Sequence, residues 1–199
     1  SFTSDKGCAT EKEATQVMIV NPLPTPSFTL SNNSVCVSGN NSDPISVTKT
    51  NPSTGTFDYA IDKGTIDATN GTFNPVGQSA GEYVVTYADF TFDVQYDAVG
   101  NFTKSTTNTF TVHDLPQVEI NSITDDELCY NSAAVTLNTT VSPEGGNGVW
   151  SGSITSATFN PALVAVGTND MTYTYTDEFK CQNTWQNSPV ESLKSLSNY

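Results

Sequence analysis

The sequence is short of the residues that most catalytic and metal centres require. It has one histidine, His113, and its four cysteines include no C-x-x-C pair, so a zinc site of ordinary design is excluded. The histidine stands alone in the segment VHDLP, and the many Ser and Thr follow strand and turn chemistry. We therefore expect no enzymatic activity, no catalytic residue and no required cofactor.

Positive charge and long apolar runs are also scarce. Seven Lys and Arg face 21 Asp and Glu, which gives a net charge of −14 and a pI near 4.1. Such a surface repels phosphate backbones and anionic bilayers, so we expect no nucleic-acid partner. No apolar run reaches the roughly 20 residues that cross a bilayer, so we expect no membrane insertion.

Helix-forming stretches rich in Ala, Leu, Glu and Lys are nearly missing. Thr, Ser, Asn, Gly and Pro instead crowd between short runs of Val, Ile, Phe and Tyr. The clearest runs are EYVVTY at 82–87, MTYTYT at 171–176 and AAVTLNTTV at 133–141, each bounded by turn-forming residues. The composition predicts an all-β protein.

Several phrases occur twice in the same order. TFNP stands at 72–75 and again at 158–161, VNPLP at 20–24 matches VHDLP at 112–116, and TYAD at 86–89 matches TYTD at 174–177. The last two pairs are offset by 92 (112 − 20) and 88 (174 − 86) residues. A period of this length is the size of one β-sandwich, so the chain is predicted to contain serial sandwiches.

The cysteines fit the same period. Cys36 and Cys129 follow the two Pro-containing linkers at an offset of 93 (129 − 36) residues, and TSDKGC at 3–8 matches TDEFKC at 176–181. We therefore interpret residues 1–22 as the terminal strand or strands of a preceding repeat. Residues 23–114 and 115–199 are then predicted to be two complete repeats.

These features, taken in order, resemble the Ig-like or PKD-like tandem repeats of large secreted cell-surface adhesins of Bacteroidota. The features are LPTP at 23–26, an early Cys, GGNGVWSG at 145–152, FNP, a Y-x-V/T-x-Y strand and D-x-x-C. The resemblance implies tandem Ig-like β-sandwich domains in an elongated, extracellular, surface-exposed array. It carries over no catalytic or binding residue.

The cysteines are expected to form disulfides in an oxidising compartment. Cys129 and Cys181 have Trp150 between them, which is similar to the Cys…Trp…Cys arrangement of an Ig core, so we predict this pair. Cys8 and Cys36 are left over, and a bond between them across a junction is an alternative that the sequence leaves open.

Three further positions are candidates for binding. Asp125, Asp126 and Glu127 near the second junction supply the oxygen ligands that calcium prefers, although solvated acidic faces are the commoner explanation. Trp185 is the aromatic residue expected to be exposed and able to stack on a sugar. The hairpin tip of the first complete repeat is lengthened, which predicts a contact loop at Asp97, Ala98, Val99, Gly100 and Asn101.

The sequence thus favours a non-catalytic segment of a cell-surface adhesin, acting as stalk and display module. Its expected partners are neighbouring Ig-like repeats of the same chain and a surface polysaccharide or another cell-surface protein. One alternative is a carbohydrate-binding or accessory module of a secreted glycan-active enzyme. Another is a subunit of a surface filament that exchanges strands between chains, suggested by the separate strand at 8–20 and the irregular last strand.

Overall fold

The structure is a computed structural model that describes residues 2–3, 9–10, 25–51, 58–88, 105–120, 127–186 and 190–193. All regular elements within these residues are β-strands, which confirms the predicted all-β class. No helix in the described part of the chain is long and apolar enough to cross a membrane.

The described residues form eighteen strands, in three groups along the chain. The first group is the antiparallel pair β1 (Phe2–Thr3) and β2 (Ala9–Thr10). The second is β3 (Ser27–Leu30), β4 (Ser34–Cys36), β5 (Val47–Asn51), β6 (Asp58–Ile61), β7 (Gly81–Ala88) and β8 (Thr106–His113). The third is β9 (Gln117–Ile120), β10 (Glu127–Cys129), β11 (Val135–Thr136), β12 (Thr139–Ser142), β13 (Asn147–Gly152), β14 (Thr158–Phe159), β15 (Gly167–Asn169), β16 (Met171–Thr176), β17 (Gln182–Gln186) and β18 (Val190–Leu193).

The second group forms an Ig-like β-sandwich. One layer is the sheet β4-β8-β7-β6, in which only the β4–β8 pair is parallel. The other layer pairs β3 with β5 and is extended by a backbone bridge between Ile45 and Phe73. Alternate residues of β7 point inward, so Tyr83, Val85 and Tyr87 are buried while their neighbours are not. Two sheets packed through such inward faces make a sandwich.

Aromatic rings join the two layers of this sandwich. Phe28 on β3 meets the rings of Tyr59 and Tyr87 edge-on, with centroids 6.4 Å and 5.9 Å away. Phe73 packs against Tyr83 and Phe110, with centroid distances of 5.1 Å and 5.0 Å. Six of the ten buried residues of this core are aromatic, so ring packing accounts for much of its composition.

The aromatic core makes the first sandwich sensitive to alkali. Burial raises the pKa of Tyr59 and of Tyr87, and the neighbouring Tyr59 raises the pKa of Tyr87 further. Because these pKa values lie above the unfolded value of about 10, their contribution to stability is complete below that pH and is lost as pH rises through the folded pKa. We expect the free energy of unfolding to fall above pH ~10, and to fall less steeply in Tyr87→Phe. Denaturant melts at several pH values measure both slopes, and identical slopes would contradict the assignment.

The third group builds a second sandwich with its own core. Its sheets are β9-β12, β11-β14, β10-β18-β15 and β13-β16-β17, and β10 runs parallel to β18 as β4 does to β8. The buried core residues are Leu137, Ile154, Phe159 and Met171. None of them belongs to the first core. The last strand, irregular in the sequence, is β18, which pairs with β10 and β15.

The repeated TFNP phrase takes the same structure at both places. Phe73 and Phe159 are both 0% exposed, and the prolines two positions later are also buried. The intervening asparagine makes the same turn in each copy. Asn74 Oδ1 accepts a hydrogen bond from the Val76 amide, and Asn160 Oδ1 accepts one from the Ala162 amide, each at 3.0 Å. The phrase therefore places one core ring and closes the loop that follows it.

Replacing Asn74 with alanine is expected to lower the free energy of unfolding by about 0.5–1 kcal/mol, because the Val76 amide loses its acceptor. Asn74→Asp keeps an oxygen at that position and is expected to change stability by about 0.5 kcal/mol or less. Urea denaturation of the two variants tests the turn. Equal losses of unfolding free energy in both variants would show that the side-chain oxygen of residue 74 does not stabilise the turn.

Candidate functional site

The site with the most specific chemistry is the junction between the two sandwiches, where a disulfide joins Cys36 to Cys181. Cys36 ends β4 of the first sandwich, and Cys181 lies in the turn between β16 and β17 of the second. Their Cα atoms are 5.5 Å apart, and both residues are 0% exposed. The bond thus links two repeats, whereas the sequence predicted a bond within one.

The predicted Cys129–Cys181 pair and the alternative Cys8–Cys36 pair are therefore wrong. An Ig-core disulfide requires both cysteines to point into one sandwich from facing strands. Cys181 lies instead in a turn beyond the end of β16, and Cys129 is an exposed free cysteine at the end of β10. Trp150 packs on Tyr173, at a centroid distance of 4.9 Å, and not on a disulfide. Cys8 lies outside the described residues.

A buried aspartate shapes the turn that carries Cys181. Asp177 is 4% exposed, and its Oδ1 accepts hydrogen bonds from the amides of Phe179 and Cys181 at 2.9 Å and 2.8 Å. The Asp177 amide donates to the Cys181 carbonyl at 3.0 Å, which closes the turn. A carboxylate that accepts two amide hydrogen bonds fixes the backbone of a short turn. The Asp-x-x-x-Cys spacing in this sequence therefore presents the cysteine at a defined position.

The loop after β4 receives this turn. The Asn41 carbonyl accepts a hydrogen bond from the Cys36 amide at 2.8 Å. The Asn41 side-chain Nδ2 donates to Ser34 O and to Phe179 O, each at 3.0 Å, so one amide group joins the two sandwiches. Asn40 Nδ2 also donates to Gln182 Oε1 at 3.2 Å. These hydrogen bonds fix the orientation of the two chain segments around the disulfide.

Aromatic packing and the linker complete the junction. The His113 ring stacks on the Phe179 ring with centroids 3.8 Å apart and planes inclined by 11°. The sandwiches are joined by three residues, 114–116, as the predicted Pro-containing linker required. Pro116 is fully buried, and its carbonyl accepts a hydrogen bond from Asn183 Nδ2 at 2.8 Å. The linker is thereby held against β17 of the second sandwich.

A crevice of about 300 Å³ opens beside this packing. It is lined by His113, Asp114, Leu115, Gln117, Ser142, Pro143, Asp177 and Phe179. Its histidine is stacked on Phe179, and Asp177 Oδ1 accepts two backbone amides. These groups thus hold the junction together. The crevice lies where the linker, the turn that carries Cys181 and the end of β12 meet.

Comparison with known proteins identifies no family for this chain. No family model and no curated protein matches the chain. The chain is similar to the fibronectin(III)-like modules of Clostridium thermocellum CbhA, with 9% identity and a TM-score of 0.38, over 87% of this chain and 97% of that one. It is also similar to the insect immune protein hemolin, with 12% identity and a TM-score of 0.37, over 86% of this chain and 47% of that one. This chain spans about half of the hemolin chain. The description of the fold therefore depends on the sheets and cores of this chain alone.

The sequence predicted that Trp185 is exposed, but the structure places it among other aromatic rings. It lies opposite Tyr173 in the β16–β17 register, and Tyr173 faces the interior. Its ring meets Trp150 edge-on at 6.3 Å and is half-buried. Residues directly opposite each other on paired strands share a face, so Trp185 belongs to the inner side of the sheet. The structure shows no free stacking platform at this residue.

The other predicted positions are described only in part. The contact loop 97–101 and the calcium candidates Asp125 and Asp126 lie outside the described residues, and both assignments stay predictions. Glu127 is exposed at the start of β10. Within the described ranges, no group of three or more His, Cys, Asp or Glu side chains is placed to hold a metal ion.

Proposed function

We propose that this chain is a non-catalytic segment of an extracellular adhesin, in which serial Ig-like sandwiches form a stiff stalk that displays a binding region. One observation carries the proposal, namely the buried Cys36–Cys181 disulfide between successive sandwiches. Disulfides and Ig-like sandwiches are typical of extracellular domains, since disulfides persist in oxidising compartments.

The physical argument concerns the hinge. Domains joined by a short linker and a small polar interface move relative to each other unless something prevents it. At this junction the linker is only three residues long, and the disulfide lies beside it, because Cys36 pairs with His113, the last residue before the linker. The Asn41 bridge and the His113–Phe179 stack add non-covalent contacts between the same two sandwiches. The short linker, the disulfide and the non-covalent contacts all restrict motion at one hinge. They support a role in which the angle between the two sandwiches stays fixed.

The disulfide also shields the chain from extension. Its two cysteines are separated by 145 residues, which include most of both sandwiches. A force applied to the ends of the protein passes through the disulfide and bypasses that loop, so most of the chain cannot be drawn out while the bond is intact. A stalk that holds a cell against shear benefits from this property. The neighbouring repeats and a surface polysaccharide or cell-surface protein are the partners that such a segment requires.

Protease treatment of intact cells tests the proposal. An antibody against residues 23–114 should detect the native polypeptide on unbroken cells that produce it, and brief protease treatment should remove the signal. Cells that lack the protein should also attach less to a solid support. A signal that survives protease treatment until the cells are lysed would overturn the extracellular assignment, and unchanged attachment would overturn the adhesive role.

A further inference from the structure

The crevice at the junction carries negative charge on its lining. Asp114 lies in the linker and is exposed, and Asp177 lies in the turn that carries Cys181 and is 4% exposed. Among the described residues, no Lys or Arg side chain lines the crevice. A concave surface lined by charges of one sign attracts the opposite charge, so the crevice favours a cationic group.

The buried carboxylate of Asp177 has one oxygen to spare. Its Oδ1 accepts hydrogen bonds from the amides of Phe179 and Cys181, whereas Oδ2 accepts none from any residue that the structure describes. Buried polar groups are normally paired, because leaving one without a partner is costly. Asp177 lines the crevice, so this oxygen is placed to accept a hydrogen bond from a ligand there.

The rest of the lining selects the kind of cation. Leu115, Pro143 and Phe179 contribute apolar surface beside the two carboxylates. The volume of about 300 Å³ has room for an organic group of about ten non-hydrogen atoms, at roughly 30 Å³ for each. No group of three or more His, Cys, Asp or Glu side chains within the described residues is placed to hold a metal ion. An organic cation with an apolar stem therefore fits the crevice better than a bare metal ion.

We propose that the junction crevice binds an alkylammonium group, which is a primary ammonium ion on a short aliphatic stem. The ammonium has three donors and no acceptor, so it donates to Asp177 Oδ2 while the Asp114 carboxylate attracts its charge. The stem packs on Leu115, Pro143 and Phe179, as the stems of lysine side chains pack on apolar surface. The group comes from a free amine or from the lysine of a partner protein. The proposal does not depend on the adhesive role of the chain.

Titration of the full ¹⁵N-labelled chain with n-butylammonium chloride, followed by NMR, tests the inference. The amides of Gln117, Phe179 and Cys181 should shift and saturate, with a Kd on the order of 1 mM for so small a ligand. Butan-1-ol has the same stem without the charge and should bind about tenfold more weakly. N-acetyl-lysine methylamide presents the group as a protein does. Tighter binding of this probe indicates a partner's lysine, and tighter binding of butylammonium indicates a free amine. Failure of both probes to shift these amides would overturn the proposal.

Substitution of the two carboxylates assigns the binding to the crevice. Asp177→Asn keeps the Oδ1 that shapes the turn and removes the charge, and it should weaken butylammonium binding about tenfold. Asp114→Asn, at an exposed linker position, should also weaken it and leaves the turn untouched. Glu178→Gln is the matched control, because Glu178 is exposed, adjacent and not part of the lining. Its affinity should stay within about twofold of the wild type.

The melting temperature of each variant reports whether the fold is retained. An unchanged affinity in both Asp177→Asn and Asp114→Asn would overturn the proposal. So would an equal loss in all three variants, because this would show a general attraction of cations to the acidic chain.

Discussion

Reduction of the Cys36–Cys181 disulfide, or its removal by Cys36→Ala, is expected to lower the free energy of unfolding by about 5 kcal/mol. The bond closes a loop of 145 residues, and the loss of loop-closure entropy in the unfolded chain grows with the logarithm of that length. For a protein of this size the change corresponds to a melting temperature lower by about 10–20 °C. Differential scanning calorimetry with and without a reductant measures it.

Cys129→Ala is the matched control for this prediction. Cys129 is an exposed, free cysteine, so its removal is expected to shift the melting temperature by no more than about 2 °C. Because Cys129 is the position that the sequence paired with Cys181, the two variants distinguish the alternatives directly. A large shift in Cys129→Ala together with no shift in Cys36→Ala would contradict the junction disulfide.

Phe73→Ala is expected to destabilise the first sandwich by about 4 kcal/mol, with little effect on the second. Phe73 is 0% exposed and packs against the Tyr83 and Phe110 rings, so truncation leaves a large cavity between the layers. Both tryptophans, Trp150 and Trp185, lie in the second sandwich. Tryptophan fluorescence therefore follows the second sandwich, while far-ultraviolet circular dichroism follows both. In the reduced protein, Phe73→Ala should lower the midpoint of the first sandwich's unfolding transition, which circular dichroism detects. The midpoint of the fluorescence transition, which reports the second sandwich, should not change.

Phe159→Ala is the reciprocal variant, since this ring is 0% exposed in the second core. In the reduced protein it should lower the fluorescence transition by a similar amount and leave the other transition in place. Phe73→Leu keeps much of the buried volume and should cost clearly less than Phe73→Ala. If both truncations moved both probes together in the reduced chain, the sandwiches would not be independent folding units, and the predicted bounds 23–114 and 115–199 would lose their support.

Much of the fold could be predicted because it depends on local patterns. The runs EYVVTY and MTYTYT, predicted to be strands, form β7 and β16, and the repeated TFNP phrase marked two places that take the same local structure. The Pro-containing linker also falls between β8 and β9. Each of these features is determined by a few neighbouring residues, so a single sequence reveals it.

The disulfide and the face of Trp185 could not be read in the same way. Pairing of Cys36 with Cys181 depends on how one sandwich docks on another, and no spacing within either repeat encodes that docking. The sequence did contain one signal. The first complete repeat has Cys36 but no cysteine that corresponds to Cys181 of the next repeat, so Cys36 has no partner within its own repeat. Trp185 faces inward because strand register places it opposite Tyr173, and register is a property of the pair of strands.

Single-molecule pulling of the full chain from its two ends tests the covalent lock most directly. The bond removes 145 residues from the extensible path, which corresponds to a contour length of about 500 Å at roughly 3.5 Å per residue. A Cys8→Ser, Cys129→Ser background leaves only the junction cysteines to react. In this background the oxidised chain should unfold to a contour length about 500 Å shorter than that of the same chain in reductant. Equal contour lengths in the two conditions would contradict a disulfide between the sandwiches and, with it, the account of a locked stalk.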